Sequence, residues 1–148
     1  MRGRRIYLDT SALVKRYVIE PGTETVDSIY KKAHEGYVTI GFSLWNIGEA
    51  SAVFDKYERM GLIDSGRKLL EKLLGETRLL LSLESLKLID ITLDIVLESI
   101  KLVFKHHVYV AEALQIVSAK KGFNEFVTAD RKLAEVAKAE KLITVLVG

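Results

Sequence analysis

The sequence predicts an α/β domain in which helices cover both faces of a parallel five-stranded sheet, a three-layer α/β/α arrangement. Five short apolar segments recur along the chain, and stretches with helical spacing separate them in the order β-α-α-β-α-α-β-α-α-β-α-β. Strands that alternate with helices favour parallel pairing, because a parallel connection needs a crossover that a helix can supply. The 148 residues contain no linker and no internal repeat. We therefore expect one domain over residues 1–148.

The predicted strands are short and apolar, as is typical of strands buried on both faces of a sheet. Gly36 and Gly41 enclose the second strand, and Asp9 follows the first. We expect strands at Arg5–Leu8, Tyr37–Ile40, Leu86–Ile91, Glu125–Thr128 and Leu142–Val147.

The predicted helices carry apolar residues at spacings of three and four. Pro21 and Gly22 end the first helix, Ser43 can cap the third, and Gly75 marks a point at which the fourth could break. We expect helices at Thr10–Ile19, Thr23–Glu35, Ser43–Arg59, Asp64–Leu83, Thr92–His106, Tyr109–Lys121 and Asp130–Glu140.

The composition excludes several kinds of site. The chain has no cysteine and three histidines, which removes thiol nucleophiles, zinc fingers and iron–sulfur clusters and leaves oxygen ligands for any metal. Its net charge of +2 is too small to indicate nucleic-acid binding by itself. No apolar run reaches the roughly 18 residues of a membrane span, and Asp9 interrupts the apolar segment that a secretory signal would need. We expect a cytoplasmic protein with no membrane partner.

Two aspartates follow predicted strands. Asp9 comes directly after the first strand and Asp130 just past the fourth. In open α/β sheets the functional crevice lies at the carboxyl ends of the strands, so a parallel sheet would bring both carboxylates to one edge. Each aspartate also stands where it could simply cap the following helix. Both interpretations remain open from the sequence.

Two glutamates lie at the margins of predicted helices. Glu49 borders an apolar helix face beside Gly48 and Ala50, and Glu112 borders another between Ala111 and Ala113. Acids in such positions are commonly solvated. Their small neighbours would nevertheless let a metal ion or a backbone approach, so the spacing alone does not decide.

The segments Asp9–Lys15, Ser43–Ala50, Glu112–Ala119 and Val127–Leu133 follow one another along nearly the whole chain. In these residues and in this order the chain resembles the PIN domain family, a metal-dependent ribonuclease fold found in toxins of toxin–antitoxin pairs. One position departs from the family pattern, because Glu112 stands where the family usually has aspartate. The longer side chain could alter the preferred metal or the rate.

The resemblance implies a ribonuclease in which Asp9, Glu49, Glu112 and Asp130 hold Mg²⁺ or Mn²⁺ and water attacks an RNA phosphodiester. Carboxylate oxygens are hard ligands that suit these ions. Clustered acids repel one another, and a bound cation would relieve that repulsion. The alternative is a PIN-like module that has lost catalysis and binds RNA or protein.

Three hydroxyl side chains are candidates to orient the metal-binding aspartates. Thr10, Ser11 and Thr128 are expected to donate hydrogen bonds to Asp9 and Asp130. Helix capping is an equal alternative for Thr10, whereas the family often carries a hydroxyl at the position of Ser11.

The resemblance also implies two protein partners, a small antitoxin and a second copy of the chain in a homodimer. The region Ser43–Leu83 holds more leucine than one apolar helix stripe needs, although core packing could account for it.

Two other families share an acid after the first strand. A receiver domain would use Asp90 as phospho-acceptor but needs a second acid beside Asp9 and a lysine after the last strand. A haloacid-dehalogenase-type phosphatase needs an aspartate where the chain has Ser11. Both alternatives fit worse than the PIN domain.

Overall fold

The computed structural model describes residues 3–148, and within this range the predicted elements occur in the predicted order. The strands are β1 (Arg4–Leu8), β2 (Val38–Ser43), β3 (Leu86–Ile89), β4 (Glu125–Thr128) and β5 (Ile143–Leu146). The helices are α1 (Thr10–Val14), α2 (Thr23–His34), α3 (Leu44–Arg59), α4 (Gly66–Ser82), α5 (Leu93–His106), α6 (Val110–Ala119) and α7 (Arg131–Ala139).

The five strands form one sheet in the order β3-β2-β1-β4-β5, and every pair is parallel. The chain moves from β1 through β2 to β3 on one side of β1, then crosses over to β4 and β5 on the other. Because parallel crossovers are right-handed, this reversal puts the first four helices and the last three on opposite faces. The predicted α/β architecture is confirmed. The reversal point lies between β1 and β4, where open α/β sheets form their crevice.

Aromatic packing at the centre of the sheet explains why β2 is longer than predicted. The ring of Tyr7 stacks on Phe126 and meets Phe123 edge-on, with centroids 5.7 and 5.8 Å apart. A Cβ atom at Gly41 would lie 1.9 Å from the Phe123 ring. Gly41 therefore sits inside β2, where it makes room for this ring, and does not end the strand as the sequence suggested.

One helical prediction is wrong in its extent, and the possible break in another helix does not occur. The first helix ends at Val14 instead of Ile19, because the backbone N–H groups of the next three residues bond to carbonyls three residues earlier and tighten the chain into turns. The hydroxyl of Thr23 then binds the carbonyls of Lys15 and Val18. Gly75 does not interrupt α4, since it faces open space on a helix held by its buried residues.

Within residues 3–148, no helix is both long enough and apolar enough to cross a bilayer.

Candidate active site

Strand pairing places Asp9 and Asp130 at one edge of the sheet. β1 and β4 pair with Leu8 opposite Val127, and the backbone N–H of Asp9 continues the ladder to the Val127 carbonyl at 3.1 Å. Asp130 follows two residues after the end of β4. Both aspartates thus stand at the reversal point of the sheet, as the sequence predicts.

Asp9 is 4% exposed and is fixed by three donors. Its Oδ1 accepts hydrogen bonds from the Ser11 hydroxyl at 2.7 Å and the Ala12 backbone N–H at 2.9 Å, and its Oδ2 accepts one from the Thr128 hydroxyl. Backbone N–H groups of Ala129 and Asp130 donate to these two hydroxyl oxygens, which directs both hydroxyl protons toward Asp9. The expected roles of Ser11 and Thr128 at Asp9 agree with this geometry.

The capping interpretation also agrees with the structure. Asp9 caps α1 through Ala12, and the exposed Asp130 caps α7 by accepting from the Leu133 backbone N–H at 3.1 Å. In each aspartate the cap occupies Oδ1. No residue in the range 3–148 donates to Oδ2 of Asp130, and Oδ2 of Asp9 keeps one lone pair beyond the one that accepts from Thr128. Capping and ligand binding are therefore compatible at both positions.

Glu49 reaches the same edge from α3, where it is half-buried. Its Oε1 accepts hydrogen bonds from the Thr10 hydroxyl at 2.7 Å and from Nε2 of Gln115 at 3.3 Å. The expected role of Thr10 needs correction, because its hydroxyl contacts Glu49 and neither aspartate. Thr10 begins α1, and its side chain points across to α3 instead of back toward β1.

Glu112 enters from the first turn of α6. Its Oε2 is buried and has no hydrogen-bond partner among the described residues. Burial, followed by the negative charge of Asp130, raises the pKa of Glu112, while Lys132 acts in the opposite direction. A buried carboxylate oxygen without a donor is costly, so this position favours a cation or a proton.

All four acids line one cavity of about 120 Å³, together with Thr10, Ser11 and Gln115. In residues 3–148 no Lys, Arg or His lies within ion-pair distance of any of the four. Burial raises the pKa of Asp9 to about 6, against the lowering effect of its hydrogen bonds from Thr128 and Ser11. The cavity therefore concentrates carboxylates that lack a counter-charge.

The donor set suits a hard divalent ion, since every candidate ligand is an oxygen and one of them is unsatisfied. In the arrangement described for residues 3–148, however, no three Asp, Glu or His side chains are grouped closely enough to hold an ion. The acids surround one cavity without converging on a single point.

Sequence reasoning missed the polar side chains beneath Glu49. Asn46 and Gln115 are buried and hydrogen-bond each other at 2.8 Å, and the Tyr7 hydroxyl lies 2.9 Å from an oxygen of each. Their spacing carries a weak signal, since Asn46 is three residues before Glu49 and Gln115 three residues after Glu112. Each pair shares a helix face.

A family model for the PIN domain matches residues 6–139. The chain belongs to the PIN domain family. The fold is similar to the crystal structure of PAE2754 from Pyrobaculum aerophilum, with a TM-score of 0.65 and 22% identity over 98% of this chain and 92% of that one. It is also similar to Mycobacterium tuberculosis VapC20, described as a sarcin–ricin loop cleaving toxin, with a TM-score of 0.64 and 13% identity over 88% and 93%. No curated protein matches the chain.

PIN domains are typically nucleases, and membership favours nuclease chemistry over the two alternatives. Asp90 argues against the receiver interpretation, because it follows the edge strand β3 and β2 separates it from β1. The resemblance drawn from the four segments is confirmed at the level of the family.

Proposed function

We propose that this PIN domain is an endoribonuclease that depends on Mg²⁺ or Mn²⁺, with Asp9, Glu49, Glu112 and Asp130 as its metal ligands. The observation that carries the proposal is a cavity at the reversal point of the sheet whose four carboxylates have no basic partner among residues 3–148. At an effective dielectric constant near 20, two unit charges about 5 Å apart repel by roughly 3 kcal/mol. A divalent cation would offset that repulsion and satisfy the buried oxygen of Glu112.

The ion, when bound, would polarise the scissile phosphate and lower the pKa of the attacking water. The protein's part is to hold the ligands. Ser11 and Thr128 favour the ionised form of Asp9 and orient its carboxylate through hydrogen bonds, while α7 fixes Asp130 through its cap. These contacts prepare the site before substrate arrives, so little reorganisation is needed during the reaction.

The surroundings of the site favour a nucleic-acid substrate, and the resemblance to PIN-domain ribonucleases makes RNA the one that we propose. Arg131 and Lys132 are exposed at the start of α7, directly after Asp130. Lys132 is near enough to influence the pKa of Glu112 without forming an ion pair. Exposed basic side chains beside an acidic cavity can bind the phosphates that flank the scissile bond.

A toxin role with a small antitoxin partner is part of the proposal. Likeness in fold to VapC20 supports it, as does α4, where the leucine surplus is divided between core and surface. Leu73 and Leu80 are buried, whereas Leu74, Leu79, Leu81 and Leu83 are exposed.

Coexpression with the antitoxin should abolish cleavage, and Leu79→Glu together with Leu83→Glu should restore it. Unchanged inhibition of that double variant would remove this side of α4 from the interface.

Homodimerisation is supported by one face of α5. Its exposed apolar stripe consists of Leu93, Leu97, Ile100 and Phe104. Asp94 and Glu98 flank the stripe near one end, and Lys101 and Lys105 flank the same side near the other. An antiparallel pair of α5 helices would therefore set acids against bases.

Phe104→Glu should shift the sedimentation velocity to that of a monomer, while Leu62→Glu, at an exposed loop position, should not.

The alternative of a PIN-like binding module without catalysis has one observation in its favour. Glu112 replaces the usual aspartate, and the described acids do not converge as a ready-made metal site. Binding of RNA without cleavage at any Mg²⁺ or Mn²⁺ concentration would favour this alternative.

The test is cleavage of single-stranded RNA by the purified protein with Mg²⁺, with Mn²⁺ and with EDTA. Cleavage should require a divalent ion. Asp9→Asn should lose it while keeping the fold, because the amide has the same shape but no charge. Asp64→Asn, at an exposed position remote in sequence from the four acids, serves as the matched control. Cleavage that resists EDTA, or an Asp9→Asn variant as active as the parent, would contradict the proposal.

A further inference from the structure

We infer that Asn46 and Gln115 are positioning residues for Glu49, acting together with Thr10. Their amides form a hydrogen-bond chain with a fixed direction that holds Oε1 of Glu49 and leaves Oε2 for the cation. The inference rests on the proposed function, because Glu49 is a metal ligand only in that proposal.

The backbone of Ser43 sets the donor-to-acceptor direction of this hydrogen-bond chain. The N–H group of Ser43 donates to Oδ1 of Asn46 at 2.7 Å. A backbone N–H can only donate, so the oxygen of the Asn46 amide must face it and the nitrogen must face the other way. That nitrogen lies 3.0 Å from the hydroxyl oxygen of Thr10 and 2.8 Å from Oε1 of Gln115.

Two hydrogen bonds then connect this network to Glu49, one from Thr10 and one from Gln115. Thr10 accepts from Asn46, so its own proton is free to donate to Oε1 of Glu49 at 2.7 Å. Gln115 likewise accepts through its oxygen, so its Nε2 faces the same Oε1 at 3.3 Å. Two donors therefore meet on one carboxylate oxygen. No hydrogen bond reaches Oε2 of Glu49 from any residue in the range 3–148.

Packing alone does not explain this arrangement. Asn46 is 0% and Gln115 3% exposed, and burying two amides costs free energy that apolar side chains of the same size would not incur. This free-energy cost is offset only if both amides form all their hydrogen bonds. The last acceptor in the hydrogen-bond chain is Glu49, so Glu49 is needed to complete it. One carboxylate oxygen has lone pairs enough to accept both donors, and because both meet on Oε1, the second oxygen of Glu49 stays free of them.

Tyr7 provides a matched control within the same cluster. Its hydroxyl lies 2.9 Å from Oδ1 of Asn46 and 2.9 Å from Oε1 of Gln115, two oxygens that already have donors. Its single proton can satisfy only one of them and sets the orientation of neither amide. Tyr7→Phe therefore removes a buried hydrogen bond without changing the donors that face Glu49.

The experiment measures Mn²⁺ binding to the whole protein without RNA, by electron paramagnetic resonance of the free ion. Gln115→Met keeps the side-chain length and removes the donor, and it should weaken Mn²⁺ binding about 10- to 100-fold, as is typical when a ligand loses its supporting hydrogen bond. Thr10→Val should do the same, and Thr10→Ser should restore the affinity. Tyr7→Phe should stay within about 2-fold of the parent. In RNA cleavage, the loss should appear as a higher Mn²⁺ requirement with an unchanged KM for RNA.

The outcomes separate this inference from the proposed function. If the parent binds Mn²⁺ and Gln115→Met binds it equally well, or no worse than Tyr7→Phe does, the positioning role is wrong and the metal site stands. If the parent binds no Mn²⁺, both are wrong. Should Gln115→Met fail to fold by circular dichroism, the Thr10→Val and Thr10→Ser pair decides. Equal affinity in those two variants contradicts the inference.

Discussion

The candidate active site and the surroundings of Glu140 bury carboxylates in opposite ways. Glu140 is 7% exposed and accepts from Lys105, His106 and Lys120 at 2.8 to 2.9 Å, an arrangement that we call the Glu140 cluster. Burial opposes its ionisation, yet these three donors lower the pKa of Glu140 to about 2. At the active site the donors to Asp9 are neutral, and burial raises its pKa to about 6.

A half-buried acid, Glu76, shows the same contrast. Glu76 pairs with Arg16 at 2.7 Å and contacts His34 and Tyr17. Burial again opposes ionisation, and the hydrogen bonds from Arg16, His34 and Tyr17 overcome it and lower the pKa. Burial of an acid is therefore common to structural and candidate catalytic positions in this protein. Among residues 3–148, the lack of a counter-charge is what distinguishes the candidate site, and it supports the cation binding that we propose there.

The largest effect is expected at Glu112. Glu112→Gln should reduce RNA cleavage at least about 100-fold, equivalent to about 2.7 kcal/mol of transition-state stabilisation. The amide removes the charge from an oxygen that has no partner among residues 3–148. Glu112→Asp should keep or alter activity without abolishing it. Cleavage rates at saturating Mn²⁺ test this, with Glu35→Gln at the exposed end of α2 as control. Equal rates for Glu112→Gln and the parent would place Glu112 outside the metal shell.

A somewhat smaller effect concerns the pH dependence at Asp9. Its pKa rises from 3.8 in the unfolded chain to about 6 in the folded protein, so its ionisation destabilises the metal-free fold by up to about 3 kcal/mol at neutral pH. The stability that protonated Asp9 contributes is fully present below pH 3.8 and is lost as the pH rises through about 6. Asp9→Asn loses one hydrogen bond at Thr128, worth about 1 kcal/mol, so a net gain near 2 kcal/mol is expected at pH 7.

Urea unfolding of the metal-free protein between pH 4 and 7.5 measures this difference. The advantage of Asp9→Asn should grow with pH and level off above about 7. An Asp9→Asn variant less stable than the parent across the range would show that the hydrogen bonds to Asp9 outweigh its missing counter-charge.

The smallest effect is expected in the Glu140 cluster and has the opposite sign. Glu140→Gln should destabilise the fold by about 1–2 kcal/mol at pH 7, since partly exposed lysines limit what the charges contribute. The folded pKa is lowered to about 2, so this stability is present above the unfolded pKa and is lost as the pH falls from about 4.5 to 2. RNA cleavage should be unchanged. A large loss of cleavage in a folded Glu140→Gln variant would break the distinction between the two regions.

How far the sequence predicts the site depends on how local each contact is. Asp9 and Asp130 are predictable, because each follows a strand and parallel strands end at one edge. The sheet and its element order are predictable for the same reason. The short extent of α1 was not predictable, because it depends on hydrogen bonds from Thr23 to carbonyls up to eight residues earlier.

Contacts between different helices could not be predicted from the sequence. Glu49 meets Thr10 only because α3 packs against α1, and it meets Gln115 only because α6 reaches the same edge. The pairing of Lys105 and His106 with Glu140 likewise joins residues more than thirty positions apart. Spacing along one helix indicates a shared face, but it does not say which other element that face contacts.

The most direct test of the central claim is a thermal melting series of parent and Asp9→Asn over Mn²⁺ or Mg²⁺ concentration at fixed ionic strength. At free metal about 100-fold above Kd, binding contributes about 2.7 kcal/mol, which should raise the Tm of the parent by about 5–11 °C. Asp9→Asn should begin with a higher metal-free Tm and respond little to the metal. A lower metal-free Tm of Asp9→Asn with the metal-induced rise intact would show that Asp9 is only a helix cap, and would contradict the account.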